Sequence, residues 1–335
     1  MKPTIRDVAE YAGVSVATVS RYLNKSPLIA DRSIKKVEKA IRELAYMPSM
    51  IARGLQKGKT NTVALAVDFN NAETYGNDFF LRIQYGLERE LSSQDYFLLI
   101  AHIGKGENAV TRLEEIIKEG RIDGLIILSE LVTETIRTLL DESGLPYVVT
   151  GRMTDDVVWV DVDNCAAGYR ATERLLATGI KDVGFLTNSF DKKFVAERFA
   201  GYKQALNDVG LSLENQFVID QLSSREEIAS YLIEHRDRLC EGYVVSDSTI
   251  AFYLMRFMES EGIRVPMDTQ IIAFDNNTLS EALDITVIDI DVMRLGMESG
   301  RLLLEQFEEK TCDQQTLLPV RIIERKTVKL QRLTP

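Results

Sequence analysis

The chain has 335 residues, with 51 Asp and Glu against 40 Lys and Arg and a formal net charge of −11, yet the charge is divided: residues 1–60 hold 12 Lys/Arg against 5 Asp/Glu, net +7, and the remaining 275 hold 28 against 46, net −18. A cationic end on an anionic body points to a negatively charged partner met by the N-terminus alone. Two histidines, His102 and His235, and three widely spaced cysteines, Cys165, Cys240 and Cys312, make no metal-ligand or nucleophile–base spacing, and no P-loop, GxGxxG or G-x-S-x-G run occurs, so no enzyme, metal or cofactor is expected. Unpaired cysteines, with no signal peptide and no long apolar span, lead us to expect a cytoplasmic protein without a membrane partner.

In chain order, Thr4 followed by Asp7 forms a short capping box that opens an amphipathic run, Ile5 to Ala12, with Ile5, Val8 and Ala9 at helical spacing. Gly13-Val14 breaks it. Ser15 caps a second run, Val16 to Leu23, which turns Val19, Tyr22 and Leu23 inward and leaves Ala17, Thr18 and Arg21 outside. Two short helices about a turn containing Gly are a helix-turn-helix pattern. A third helix, Asp31 to Leu44, follows a loop containing Pro27, with Ile34, Val37, Ile41 and Leu44 as its core stripe and Arg32, Lys35, Lys36 and Lys39 outside. A recognition helix presents its N-terminal side chains to base edges, here Val16, Ala17 and Arg21. Arg21 can donate two hydrogen bonds to a guanine, worth about 1–3 kcal/mol of discrimination, and the two apolar residues can meet thymine methyls. Thr4, Ser15, Thr18, Ser20 and Asn24 fit phosphate contacts that set register. For Ser15 and Ser20, capping or packing is an equal alternative.

Residues 46–60 form a linker in which Pro48 stops the preceding helix and Ser49 can cap another, too short to persist alone. Gly54 costs that helix about 1 kcal/mol relative to Ala, so it is expected to fold only on DNA. Beyond residue 60, β-branched runs alternate with helical ones: Val63–Val67, Phe97–His102, Gly124–Leu128, Tyr147–Thr150, Val183–Thr187, Phe217–Ile219, Tyr243–Ser246 and Gln270–Phe274. Such alternation means parallel sheets covered by helices, in two lobes for a stretch this long. Ligands of open α/β sheets sit at the carboxyl ends of the strands. There stand Asp68, Asn70, Arg152, Asp161, Asn188, Asp247 and Asp275, a set of acceptors with an Arg fork that suits a sugar or other polyol. Phe80, with Phe79, and Trp159 are apolar candidates, although core positions suit all three; Asp161 is equally able to cap a chain crossing.

The segments TIRDVAEYAGVSVATVSRYLNKSPLI and AYMPSMIARGLQKGKT, with ERFAGYKQAL, YVVSDSTIAF, IIAFDN and LLPVRIIERKTV further on, resemble the LacI/GalR family of bacterial transcription regulators over essentially the whole chain. The resemblance implies an α plus α/β architecture: a helix-turn-helix headpiece (1–46), a hinge helix and linker (47–59), and a two-lobed core like the periplasmic binding proteins (60–335). Lobe 1 would take about 60–160 and 291–319, and lobe 2 about 161–290 and 320–335, with crossing strands at Trp159–Asn164, Thr286–Asp291 and Leu317–Arg325. It adds Ser49, Ala52, Arg53 and Leu55 as hinge contacts to DNA, Leu55 as a wedge between base steps, and assigns Arg198 and Asp275 to the effector site. Two departures stand out: Ala30 replaces a frequent Ser cap, and no aromatic lies near Gln221.

The expectation is a homodimeric repressor of carbohydrate-metabolism genes, bound to double-stranded operator DNA and released by a small effector: a sugar, or, with Arg152 and Arg198 both available, a sugar phosphate or sugar acid. Alternatives are a catabolite-control-type regulator with a phosphocarrier protein or sugar phosphate as corepressor, and a sugar-binding protein that does not act on DNA. Because the chain stops at Pro335, without room for a heptad tail, a dimer is the expected limit of assembly.

Overall fold

A computed structural model describes residues 3–23, 26, 28–47, 59–70, 78–154, 156–213, 217–220, 225–310 and 314–330. The chain divides into two compact units, residues 1–62 with 120–123 and residues 63–119 with 124–335. In the first unit, helices α1 (Ile5–Ala12), α2 (Val16–Leu23) and α3 (Asp31–Glu43) enclose a small core. Thr4 opens α1 through a full capping box: its N–H and hydroxyl donate to Asp7 Oδ2 at 2.7 and 2.8 Å, and its Oγ1 accepts the Asp7 N–H at 3.4 Å. Gly13 ends the helix at φ 62°, a left-handed position that glycine takes without cost. Val8, Val19, Val37 and Ala40 are fully buried, with Tyr22, Leu23, Ile41 and Leu44 packed around them. Of the expected α3 stripe, Val37, Ile41 and Leu44 join this core, the small Ala40 is added to it, and Ile34 lies half-buried outside the cluster.

The second unit holds two six-stranded sheets. The first has the order β11-β5-β4-β3-β1-β2, from β1 (Thr62–Val67), β2 (Phe97–His102), β3 (Gly124–Leu128), β4 (Tyr147–Thr150), β5 (Trp159–Val162) and β11 (Gln315–Leu318). The second runs β12-β10-β9-β8-β6-β7, from β6 (Val183–Leu186), β7 (Val218–Ile219), β8 (Gly242–Val245), β9 (Gln270–Phe274), β10 (Thr286–Asp289) and β12 (Arg321–Ile323). Central strands such as β8 and β9 are buried along their whole length, as helices on both faces of a parallel sheet require.

Helices α4 (Phe79–Ser92), α5 (Glu107–Lys118) and α6 (Glu134–Ser143) belong to the first lobe; α7 (Asn164–Leu176), α8 (Lys193–Asp208), α9 (Arg225–Glu234), α10 (Ser248–Ser260) and α11 (Thr278–Ala282) belong to the second. The chain crosses between sheets after Val162, after Asp289, where α12 (Val292–Phe307) returns to pack on α4, and after Leu318. Leu317–Arg325, which the sequence presents as one crossing strand, is two: Pro319 has no N–H for a ladder, so β11 ends before it and β12 begins beyond it, antiparallel to β10.

Each lobe is fastened by one helix pair. On α4 and α12, a Cβ at Gly86 or Gly296 would collide with the backbone carbonyl of Met293 or Ile83; on α7 and α8, a Cβ at Gly168 or Gly201 would collide with that of Arg198 or Cys165. Glycines facing a neighbouring helix backbone let these helices touch.

Candidate DNA-reading surface and ligand cleft

The amino end of α2 is open. Val16 is 42% exposed, Ala17 and Arg21 are exposed, and Thr18 and Ser20 are half-buried. Ser15 Oγ accepts the Thr18 N–H at 3.1 Å and lies 2.9 Å from the Thr18 hydroxyl, so it caps the helix that aims these residues. Thr4 is committed to its own capping box. Along α3, Arg32, Lys35, Lys36 and Lys39 are exposed. Asn24, Ser49, Ala52, Arg53 and Leu55 lie outside the described residues. Where the linker ends, Asp123 accepts from the Thr60 N–H and hydroxyl at 2.7 and 2.9 Å and from the Asn61 N–H at 2.7 Å, a charge-assisted anchor on the segment.

In the second unit the carboxyl ends of β8 and β9 converge on Arg198 of α8. Arg198 is 3% exposed; its Nε donates to Asn164 Oδ1 and its Nη1 to the Ser246 carbonyl, both at 3.0 Å, and its guanidinium lies 4.1 Å from the Phe274 ring and 4.9 Å from that of Phe194. Burial pulls its pKa below the usual value, opposed in order by Asp275, Asp161, Asp247 and Glu197. Asp275, the first residue past β9, is buried at φ 73°, and its Oδ1 has no hydrogen-bond partner among the described residues. Burial pushes its pKa up to about 6 against the pull of Arg198. Ser246, just past β8, is buried with its Oγ likewise unpartnered.

Asp247 caps α10, its Oδ1 accepting the N–H groups of Thr249 and Ile250 at 2.8 and 2.9 Å. Asp161 lies inside β5, where it accepts from the Arg152 and Val162 N–H groups at 2.8 and 2.7 Å and from Asn164 Nδ2 at 3.3 Å; burial raises its pKa.

The remaining candidates stand in other surroundings. Trp159 opens β5 and is 2% exposed, a core position, with the exposed Arg152 side chain 5.9 Å over its ring. Asp68 is buried past β1 and accepts the Asn70 N–H at 3.0 Å; Asn70 itself is exposed. Phe80 is half-buried with its ring edge-on to Phe69 at 5.5 Å, and the Phe69 N–H donates to His102 Nδ1 at 3.1 Å, so His102 shapes this loop. Asn188 is half-buried beyond β6.

Sequence reasoning missed four groups. Asn164 and Ser246 hold Arg198 but sit where a helix start and a strand end look ordinary; Glu197 hides beside Arg198 on the same helix. Arg82, on α4, donates from Nη1 to the Asn276 carbonyl of the second lobe at 2.6 Å, while Arg325 Nη2 holds the Asn276 side chain. No sequence periodicity links positions 82 and 276.

A capped helix-turn-helix unit together with a periplasmic-binding-protein-like core defines a DNA-binding regulator. The family model described as bacterial regulatory proteins, lacI family, matches residues 4–49, and the one described as periplasmic binding protein-like domain matches residues 172–328. The HTH-type transcriptional repressor PurR of Vibrio atlanticus is 30% identical over 335 aligned residues, covering 97% of this chain and 98% of that protein. The HTH-type transcriptional regulator CelR of Thermobifida fusca is 29% identical over 330, covering 96% and 95%. Among solved structures, a complex of the transcriptional regulator CelR with cellobiose is similar at 28% identity and a TM-score of 0.71, over 97% of this chain and 99% of that one. The lac repressor dimer bound to operator and the anti-inducer ONPF shares the fold at 21% identity and a TM-score of 0.83, over 98% and 99%. The chain belongs to the lacI family of bacterial transcription regulators.

Proposed function

We propose that the chain is a homodimeric repressor, acting in the cytoplasm, whose two headpieces read the half-sites of a pseudo-palindromic operator and which a small sugar-like effector releases from carbohydrate-metabolism genes. Residues 1–46 serve as headpiece, 47–59 as hinge and 60–335 as effector-binding and dimerisation core. The observation that carries the effector role is Arg198, a buried guanidinium among Asp275, Asp161, Asp247 and Glu197 at the strand ends. A fold has no need of such a costly cluster for its stability, whereas a polar ligand does. The reading of DNA rests on the exposed Val16, Ala17 and Arg21 at the start of a capped helix.

The test is Arg198→Ala and Asp275→Ala, each assayed for operator binding by fluorescence anisotropy and for effector binding by calorimetry. Both variants are expected to remain folded dimers that bind operator, with effector affinity reduced by about 2–4 kcal/mol and release from DNA abolished. Normal effector binding in both would place the site elsewhere.

A further inference from the structure

We propose that Arg82 and Lys193 form a pair of clasps between the two lobes, and that their strength sets the balance of closed and open core to which operator binding responds. The clasps rest on hydrogen bonds between the lobes and not on what the cleft binds; only the direction of the DNA response rests on the function proposed above. Each clasp is a cationic side chain of one lobe donating to a backbone carbonyl of the other, and the two run in opposite directions. Arg82, on α4 of the first lobe, donates from Nη1 to the Asn276 carbonyl at 2.6 Å, two residues past β9 of the second. Lys193, the first residue of α8 in the second lobe, donates from Nζ to the Arg152 carbonyl at 2.9 Å, two residues past β4 of the first.

The two clasps occupy matching places in the two lobes. The sheets share one strand order, in which β1, β3 and β4 of the first correspond to β6, β8 and β9 of the second. Both donors lie on the helix that follows the first strand of this set, and both acceptors lie just past the third. Each acceptor is also pinned within its own lobe. The Asn276 side-chain oxygen accepts from Arg325 Nη2, while Arg325 Nη1 holds the Ile285 carbonyl at 2.8 Å, and Asn277 Nδ2 donates to Ser248 Oγ at 2.6 Å. The Arg152 N–H donates to Asp161 Oδ2 at 2.8 Å. A bond to a fixed acceptor resists displacement of the lobe behind it, whereas a loose loop would follow the motion.

The chain itself joins the lobes only at the three crossings, so parting the lobes at the strand ends breaks both clasps in one opening. Their strengths differ. Arg82 is half-buried, and water replaces its charge-assisted bond poorly; Lys193 is exposed, where screening and side-chain entropy leave a small net gain. Arg82 therefore carries most of the closure. An effector held between the lobes favours the closed core and releases DNA only if the open core is the better operator binder, so weakening the clasps moves the protein toward the operator-bound form.

The experiment uses the full chain with no DNA or small molecule added. Arg82→Met and Lys193→Met remove the donors and keep apolar stems; Arg82→Lys and Lys193→Arg keep a cationic donor. Hydrogen exchange read by mass spectrometry should be about tenfold faster at residues 151–154 and 275–280 in Arg82→Met, and about two- to threefold faster in Lys193→Met. The two factors should multiply in the double variant, because both bonds break in the same opening, and the strand interiors of both lobes should keep their rates. The conservative variants should restore most of the protection. Unchanged exchange in these loops of the double variant overturns the clasps; so does acceleration spread evenly over both lobes, which would make the two side chains ordinary contributors to stability. A double variant no faster than Arg82→Met removes Lys193 from the pair. If Arg82→Met does not fold, the exposed Lys193→Met, compared with Lys193→Arg, decides by the same loops. The DNA response is read by fluorescence anisotropy on an operator selected in vitro from random duplexes, where the double variant should bind about threefold or more tightly. Weaker binding leaves the clasps standing and overturns release by an effector that closes the lobes; unchanged binding despite faster exchange overturns the regulatory role.

Discussion

Asp275 combines a left-handed backbone with a buried carboxyl whose Oδ1 no described residue satisfies. With its pKa raised to about 6, chiefly by burial, the folded chain holds this proton at pH values where the unfolded chain has lost it. Stability therefore declines as pH rises from the unfolded value near 4 through about 6, and the cost is fully present above that. Asp275→Asn should consequently stabilise the ligand-free protein at pH 8 by on the order of 3 kcal/mol, seen as a higher melting temperature, and change it little at pH 4, while effector affinity falls. A uniform shift across pH would mean that the carboxyl does not titrate in this range. At the other end of the chain, Arg21 is exposed on the turn of α2 that follows Val16 and Ala17. Arg21→Ala should lose about 1–3 kcal/mol of operator discrimination, with a smaller loss on random DNA; equal losses on both would assign Arg21 to phosphate. Asp275 was legible in sequence because a carboxylate directly after a buried run draws attention, whereas Asp247, in the same kind of position, caps α10. Asn164 and Ser246 were not legible, since an amide opening a helix and a residue closing a strand are common everywhere, and only the approach of Arg198 to the Asn164 amide oxygen and the Ser246 backbone carbonyl gives them their role.

Most elements could be read because β-branched runs and helical periodicity are local signals; what could not be read depends on contacts between distant segments. The split of Leu317–Arg325 at Pro319 followed a signal that was present in the sequence and outweighed there by the hydrophobic run around it. The glycine-faced helix pairs had no such signal, since Gly168 and Gly201 are separated by a strand and two turns before their backbones meet. That contact determines where Arg198 stands: the space a Cβ on Gly168 would need is filled by the Arg198 backbone carbonyl itself. Gly168→Ala should push α8 from α7, destabilise the fold by about 1–3 kcal/mol and weaken effector binding beyond what the stability loss explains. Calorimetry at a temperature where the variant is fully folded separates the two effects. Unaltered effector affinity there would show that α8 can shift without moving the guanidinium.

At the scale of the whole molecule, the charge division and one uncovered face bear on assembly. The basic first sixty residues against an acidic remainder should make operator affinity fall steeply with salt, as counterions released from phosphates are no longer gained, and operator DNA and effector should weaken each other's binding by the same factor. In the first lobe, Leu81 and Tyr85 of α4 are 67% and 61% exposed and Phe97 of β2 is 59% exposed. They accompany an open groove of about 360 Å³ lined by Leu81, Gln84, Tyr85, Glu88, Leu98 and Ile100. β2 is also an end strand of its sheet. Exposed apolar side chains of this kind beside a groove are best explained by a second copy of the chain, whose identical surface would cover them about a twofold axis. Leu81→Arg with Tyr85→Asp, both at the groove, should therefore yield monomers in sedimentation velocity. Because a lone headpiece neutralises half the phosphates and reads one half-site, the same variant should lose operator affinity while retaining its effector, whose proposed contacts at Arg198 and Asp275 lie within one chain. A double variant that remains dimeric and binds operator normally would place the dimer contact on another face.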